Sequence, residues 1–503
     1  MPEKSSWRRT AWFALSLGFA VSLLIHGAPR AETVKDSDSA KALLGDVLEY
    51  VKTSITSADE DLTLKLETEP SAQVRGNITK LIFPTPSILD KNGAGFHLGN
   101  VTANVALQNK DEFQFSVGLP SPMTVSGTSG LTEAEVSWAA NRLHGIWRAD
   151  LEIATEFHSA LKSLLFTDIK QGEKHLVGKI DSIAIDQKFS ESTNGWWKGQ
   201  LAYDVANIEL APANKDERVS LESVSVSSKL QEFDFASWQA LFEWGSSLSI
   251  AADGTLPSSQ GDSRAARQIL ETMNLGAGNM GLSIANLIYG PPGRPEFKMG
   301  ELNLNMNYDN DARPGTYSFY LDWWGLEQTD GDIPSAYFTH TGVIKMHLEQ
   351  FPLRQILTSV LRETQKLSPP VDPADIDFGA PLQLMALPMI NANQTRLRLE
   401  ELMLRSSIAA LTASGNLSAE KDSALGAVGN ARFELTGLDK LIAVAARQAL
   451  SDEDAAKLLA SLTFAKGLGR PEVGTEGGLV YIYDVILPAD GIVLINEIPL
   501  NLL

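Results

Sequence analysis

The sequence contains no cysteine, and this absence excludes a whole set of chemistries. Thiol nucleophiles, disulfides, iron–sulfur clusters, thiolate zinc sites and covalent haem attachment all need cysteine. A lipid anchor attached to an N-terminal cysteine is excluded for the same reason. Any catalytic or metal site in this chain must be built from other residue types.

Positive charge is also in short supply. The chain has 42 Lys and Arg against 62 Asp and Glu, which gives a formal net charge of -20. An anionic surface repels phosphate backbones, so nucleic acid is excluded as a partner. The same charge disfavours attraction to anionic lipid surfaces, but it does not oppose apolar ligands.

Catalytic motifs are missing as well. The sequence has no H-E-x-x-H and no G-x-S-x-G, so metal and serine hydrolase signatures are absent. Six histidines beyond the N-terminal segment are scattered: His97, His144, His158, His175, His340 and His347. We therefore predict no catalytic residue, no metal ligand and no cofactor. Paired carboxylates of the glycosidase kind stay open, because such pairs meet only in the fold.

Two weaker motifs have structural interpretations. Residues 276–281 fit G-x-G-x-x-G, but a helical pattern precedes them and a strand pattern follows, which inverts a dinucleotide site. We predict a glycine turn there. Residues 309–311 and 330–332 are acidic, but their spacing does not supply the six to eight oxygens that calcium needs. They are predicted to be solvated turns, with an adventitious cation site as the alternative.

The N-terminus resembles an export signal. Lys4, Arg8 and Arg9 precede an apolar run over residues 11–25. This run is shorter than the roughly 20 residues of a membrane-spanning helix. Residues 1–31 are predicted to be a signal peptide or a retained anchor, with membrane contact through residues 11–25 if uncleaved. A long exported chain without disulfides indicates a bacterial periplasm or envelope.

Beyond this segment the hydrophobic period is mostly two. One helical stripe covers residues 40–55, and amphipathic strand patterns then recur almost to the C-terminus. The predicted fold class is α+β and β-rich, with long curved antiparallel sheets and short covering helices. Predicted domains are an N-terminal β-rich domain over 32–250, a middle strand–helix unit over 263–368 and a C-terminal one over 374–503.

A strand followed by a short helix is the recurring unit of these domains. Its clearest copy covers residues 431–447, where alternation gives way to helical spacing after Gly437. Similar patterns cover residues 344–361, 230–242 and, more weakly, 151–165. In the third copy Phe235, Trp238 and Phe242 form a stripe that is predicted to be core.

Two motifs carry a family resemblance. Phe433–Ile442 contains the strand-G-(L/F)-D-helix junction, and Gly491–Leu500 reads G-x-V-x-x-N-x-x-P-L. Both resemble AsmA-like bacterial envelope proteins and uncharacterised alphaproteobacterial relatives. The resemblance implies a periplasmic protein in which a curved sheet forms a groove for lipid acyl chains. It implies no catalytic residue.

The candidate ligand-binding residues are two tryptophan pairs, Trp196 with Trp197 and Trp323 with Trp324. Neighbours on a strand face opposite sides, so one member of each pair should pack inward and the other outward. The predicted function is a non-enzymatic, exported envelope protein that binds lipid or another apolar ligand in a sheet groove. Two alternatives stay open: a scaffold that binds other envelope proteins, and a polysaccharide or peptide hydrolase.

Overall fold

The structure is a computed structural model, and it is β-rich, with a long antiparallel sheet and few short helices. It describes residues 37–58, 61–109, 111–148, 151, 153–193, 195–211, 217–238, 240–241, 268–310, 314–329, 339–364, 379–449, 453–474 and 477–500. The predicted leader, the boundaries at 251–262 and 369–373, and the acidic turn at 330–332 lie outside these residues. Among the described helices, none has the length and apolar character needed to cross a membrane.

The chain divides into two compact units. The first comprises residues 1–190, 199–226 and 289–293, and the second comprises 191–198, 227–288 and 294–503. The first unit begins with helix α1 (Ser37–Ala58). Thirteen strands follow: β1 Thr63–Lys65, β2 Ser71–Arg75, β3 Ile78–Phe83, β4 Ser87–Leu89, β5 Gly95–His97, β6 Val101–Leu107, β7 Glu112–Gly118, β8 Met123–Ser126, β9 Thr132–Ser137, β10 Ala140–Arg148, β11 Ile153–Lys170, β12 Glu173–Glu191 and β13 Trp197–Leu210.

A well-filled core stabilises the first unit. Strands β3, β6, β7, β10, β11 and β12 pair antiparallel in that order. Their inward faces supply Trp147 and Phe157, which are fully buried, and Leu43 of α1 packs into the same cluster. Fully burying a side chain of this size contributes about 1.5–3 kcal/mol relative to leaving it exposed.

The helix predicted within residues 151–165 is wrong, because this stretch belongs to the 18-residue strand β11. Phe157 and Leu161 are four residues apart, a spacing that fits one face of a helix and also one face of a strand. In the structure Phe157, Ser159 and Leu161 are all buried, which shows period two. A left-handed Ser163 (φ 55°) then shifts the pattern, so that Leu164 is buried.

Strands β14 (Arg218–Phe233) and β15 (Ala277–Gly290) contribute residues to both units, as do the C-terminal end of β12 and the N-terminal end of β13. The glycine turn predicted at 276–281 is wrong, since these residues enter β15 after Gly276. The helical pattern after β14 is confirmed at residues 235–238 and 240–241, but its predicted core stripe is only partly correct. Trp238 is 39% exposed and stacks on Phe233, with ring centroids 5.7 Å apart, and residue 242 lies outside the described part.

The second unit holds the remaining elements. Its strands are β16 Phe297–Asp309, β17 Gly315–Trp324, β18 Glu327–Gln328, β19 Thr341–Phe351, β20 Arg396–Arg405, β21 Ala410–Ala419, β22 Ala427–Thr436, β23 Arg470–Val473, β24 Leu479–Leu487, β25 Val493–Ile495 and β26 Ile498–Leu500. Its longer helices are α2 Leu353–Thr364, α3 Gly379–Ala392, α4 Leu438–Gln448 and α5 Glu453–Leu468. Two predicted strand–helix units are confirmed: β19 leads into α2, and β22 leads into α4.

Candidate functional site

The sheet of the second unit has one apolar face, built by seven strands. Strands β16, β17, β19, β20, β21, β22 and β24 pair antiparallel in that order. Because side chains alternate along a strand and paired residues share a face, the register sorts residues into rows that cross the sheet.

Four such rows define what we call the apolar face. From β16 to β24, row 1 contains Leu302, Trp323, Gly342, Leu404, Leu411, Leu435 and Tyr481; row 2 contains Leu304, Leu321, Ile344, Leu402, Ala413, Phe433 and Tyr483; row 3 contains Met306, Phe319, Met346, Leu399, Gly415, Ala431 and Val485; row 4 contains Tyr308, Tyr317, Leu348, Leu397, Leu417, Gly429 and Leu487. None of these residues is charged.

The apolar face is not sealed. In row 2 every member except Ala413 is only half-buried, and Met306, Leu397 and Leu417 are 38%, 40% and 39% exposed. Among the described residues of this unit, the buried hydrophobic cluster is small and lies around Leu270 and Met273 rather than over the rows. Within the described part of the chain, no second buried layer covers most of the apolar face.

The opposite face is polar, and its charges are paired. Arg432 contacts Glu434 at 2.9 Å and Asp484 at 3.4 Å. His347 lies 2.7 Å from Glu400, and this hydrogen bond holds the pKa of Glu400 below its usual value. Exposed pairs of this kind stabilise the fold little, typically by about 0–1 kcal/mol, but they keep this face soluble.

A shallow depression of about 550 Å³ lies on the polar face, between Arg398 and Arg432. It contains two carboxylates: Glu400, which lies 3.9 Å from Arg398, and Asp484, which lies 3.4 Å from Arg432. No tryptophan is among the described residues that line it. A carboxylate held ionised by a cation is unsuited to the general-acid role that glycoside hydrolysis needs. The depression therefore does not support the hydrolase alternative.

The four candidate tryptophans occupy different surroundings. Trp197 is buried and contacts Phe235 edge-on at 6.5 Å, while Trp196 is half-buried just before β13. Trp323 lies in row 1 and Trp324 on the polar face, as strand alternation requires. The Trp324 indole is 49% exposed and donates to Glu301 at 2.8 Å. Of the four, Trp323 is the one that belongs to the apolar face.

Helices α4 and α5 border the apolar face at its row 1 end. The Tyr481 hydroxyl donates to the Asp439 carboxylate of α4, with oxygen–oxygen distances of 3.1 and 3.3 Å. Lys466 of α5 donates to Asp439 at 2.6 Å, and its Nζ lies 5.9 Å from the centroid of the Tyr481 ring. Next to Tyr481 in this corner, the hydroxyl of Tyr483 is buried without a hydrogen-bond partner among the described groups.

At the row 4 end, the groups that contact Tyr317 are uncharged. Tyr317 packs edge-on against Phe351 at 5.8 Å, and its hydroxyl donates to the amide oxygen of Asn310. Burial raises the pKa of Tyr317 to about 12, so this hydroxyl remains neutral at physiological pH. Helix α2 starts directly after Phe351. The contacts of Tyr317 thus differ from those of Tyr481, which include an ammonium group and a carboxylate.

A separate polar cluster lies on the outward face of the first unit. His144, His158 and Asp186 are cross-strand neighbours on β10, β11 and β12. The imidazole rings stack at 5.1 Å, and His158 Nδ1 lies 2.7 Å from Asp186. Burial, then the charge of Arg142, lowers the pKa of His144. Among the described residues, no group of three or more His, Asp or Glu could hold a metal ion.

The sequence predicted an apolar sheet face, but not its membership. Two features of the sheet cannot be read from the sequence. A bulge at Glu400 shifts β20 by one residue, and residues far apart in sequence, such as Leu304 and Tyr483, share a row.

Comparison with known proteins gave no match, whether to a family model, a curated protein or a solved structure.

Proposed function

We propose that this protein is an exported envelope protein that binds the hydrocarbon chains of a lipid along the apolar face. The observation that carries the proposal is the combination of four uncharged rows with half-exposed side chains. Contiguous apolar surfaces beyond a few hundred Å² are uncommon on soluble proteins and mark binding sites. Each methylene that a ligand buries there contributes about 0.8 kcal/mol.

The face favours hydrocarbon over a protein partner because it offers few hydrogen bonds. The backbone groups of these strands are used in the sheet, and the polar side-chain groups within the rows are the tyrosine hydroxyls and the Trp323 indole N–H, which donates to the Thr339 carbonyl. Protein interfaces carry about one hydrogen bond per 100–200 Å². A ligand without hydrogen-bonding groups along its length loses nothing on this surface.

The dimensions are also suitable. A row crosses seven strands, or six intervals, which at about 4.8 Å each gives a track of roughly 29 Å. An acyl chain spans half of a hydrocarbon core that is about 30 Å thick. One row is therefore long enough for a complete chain, and neighbouring rows offer room for a second chain beside it.

The envelope location rests on the sequence. The basic and apolar segment over residues 4–25, the absence of cysteine and the resemblance to AsmA-like proteins all support export. Cell fractionation with a C-terminal tag tests this part independently. A full-length product found in the cytosol would contradict export and leave the binding question to the experiment below.

The binding test uses purified full-length protein. We expect copurified lipid by mass spectrometry, and saturable uptake of a fluorescent fatty acid after delipidation. Leu402→Lys places a charge in row 2 and should weaken binding at least tenfold, because the ammonium group must be desolvated. The matched control is Thr412→Lys, at an exposed position on the polar face of the neighbouring strand.

Three results would count against lipid binding: no copurified lipid, no fatty acid uptake, or equal effects of the two variants. Circular dichroism and urea unfolding of both variants separate loss of binding from loss of fold. A protein crosslinked at stoichiometric yield, without lipid, would instead support the scaffold alternative. A homodimer that buries Trp323 would show that a second copy covers the face.

A further inference from the structure

We propose that the corner formed by Tyr481, Asp439 and Lys466 binds an anionic head group, so that the lipid lies with its polar end at α4 and α5. This inference rests on the proposed function, since it assigns the orientation and the charge class of the same ligand. It applies to a carboxylate and to a phosphate alike, because both present oxygen atoms to an ammonium group.

The corner adjoins the apolar face directly. Tyr481 ends row 1, and its ring packs beneath Lys466, while its hydroxyl donates to Asp439. A chain lying in row 1 or row 2 therefore ends within reach of the Lys466 ammonium group. Stacking over the tyrosine ring and bonding to Asp439 fix the position of this otherwise flexible side chain.

Lys466 retains a hydrogen-bond donor that a ligand can use. Its ammonium group has three donors, and Asp439 and the Tyr481 hydroxyl engage two of them. The side chain is 45% exposed, so a head group can approach it from solvent. Its hydrogen bonds with Asp439 and Tyr481 raise the pKa of Lys466, and the group remains a cation well above neutral pH.

Tyr483 adds a second polar group at the corner. Its hydroxyl is buried and has no hydrogen-bond partner among the described groups, and Gly469 lies close to it. A buried hydroxyl without a partner is unfavourable, and a hydrogen bond from it to a ligand oxygen would remove this cost. The opposite end of the face offers Tyr317 and Asn310, which carry no charge.

A local cation matters because the chain as a whole repels anions. The net charge is -20, and repulsion from distant charges acts over a Debye length of about 8 Å at physiological ionic strength. A head group bound against Lys466 is closer to this cation than to most of the surface acids. Lys466 and Asp439 neutralise each other, so head-group preference depends on the remaining donors of the ammonium group rather than on a net positive charge.

The experiment compares two probes with the same chain: a fluorescent C16 fatty acid and its methyl ester, measured at pH 8. Wild-type protein should bind the acid at least fivefold more tightly than the ester. Lys466→Gln should abolish this preference, so that acid and ester bind with equal affinity. A lysophosphatidic acid and monoacylglycerol pair, run in parallel, shows whether phosphate or carboxylate is preferred.

Two control variants separate anion binding from a structural effect. Asp439→Asn breaks the same ion pair but keeps the cation, so the preference for the acid should persist or increase. Lys457→Gln removes a lysine of α5 that pairs with Glu453 and Asp454, and should change nothing.

The outcomes are distinguishable. Equal binding of acid and ester by the wild type overturns the head-group inference while lipid binding stands. If Lys466→Gln and Asp439→Asn lose the preference for the acid to the same extent, the head-group inference is also overturned, because the ion pair would then have only a structural role. If the wild-type protein binds neither probe, the proposed lipid-binding function itself is contradicted.

Discussion

At the scale of single residues, Gly437 is the joint between β22 and α4. Its φ of 74° is left-handed, and a Cβ at this position would overlap the carbonyl oxygen of Ile408. A left-handed conformation costs an L-residue about 1–2 kcal/mol, and the overlap adds to it. We expect Gly437→Ala to lower the free energy of unfolding by about 2 kcal/mol or more in urea titrations.

Gly467 provides the control for this substitution. It lies in α5, and a Cβ there would meet no atom within 4 Å. Replacing a helical glycine by alanine usually stabilises by roughly 0.5–1 kcal/mol. If Gly467→Ala and Gly437→Ala had the same effect, the left-handed joint would not be the cause.

His144 makes stability depend on pH. Its pKa is lowered in the folded protein from 6.5, first by burial, then by Arg142 and His158. The unfolded chain therefore binds a proton below about pH 6.5 that the folded protein resists binding, so stability is lost as pH falls. We expect His144→Gln to flatten the decrease in unfolding free energy between pH 7.5 and 5.5, measured by urea titration.

The slope of unfolding free energy against pH is the quantity to compare between wild type and His144→Gln, because the substitution also changes packing and therefore the absolute free energy. His175→Gln, at a half-exposed side chain near Glu173, should retain the wild-type slope. A wild-type slope in His144→Gln would mean that other groups govern stability in this range.

At the scale of elements, β11 shows how a strand changes its buried face. The left-handed Ser163 shifts the alternation, so that Leu164 is fully buried and Leu165 is 37% exposed. Leu164→Ala should therefore cost about 2–5 kcal/mol of unfolding free energy, the range for a buried leucine. Leu165→Ala should cost less than about 1 kcal/mol. A larger loss for Leu165→Ala than for Leu164→Ala would mean that the buried face does not change at Ser163.

The same strand shows the limit of reading periodicity. Between residues 151 and 165 the sequence offers Phe157, Leu161, Leu164 and Leu165, which fit a helix as well as a strand with a bulge. Cross-strand partners such as Gly145 and Gln187 decide between them, and they are distant in sequence. At residues 431–447 no such ambiguity arises, because Gly437 separates the two periods, and the prediction was confirmed.

The candidate site was predictable in kind but not in detail. Strands such as β22, with Phe433 and Leu435 on one side and Arg432 and Glu434 on the other, predict an apolar face from their own sequence. The pairing order of seven strands and the bulge at Glu400 decide which residues share a row. The corner at Lys466 depends on a helix hairpin returning to Tyr481, a tertiary contact without a local signal.

At the scale of the whole molecule, the two units use their apolar residues differently. In the first, Trp147, Phe157 and their neighbours fill a buried core. In the second, the seven-strand apolar face remains half-exposed, and the hydrophobic free energy of covering it is still available. Binding of a ligand to the native state then adds stability by mass action.

An open apolar face on a chain of net charge -20 sets hydrophobic attraction against charge repulsion. In delipidated protein, raising salt from about 0.05 to 0.5 M shortens the Debye length and should increase self-association in sedimentation experiments. Fatty acid should reverse this by covering the face, and Phe433→Glu, which charges row 2, should prevent it. Thr412→Glu on the polar face should associate like the wild type. Lipid-free protein that stays monomeric at every salt concentration would mean that the face is already covered.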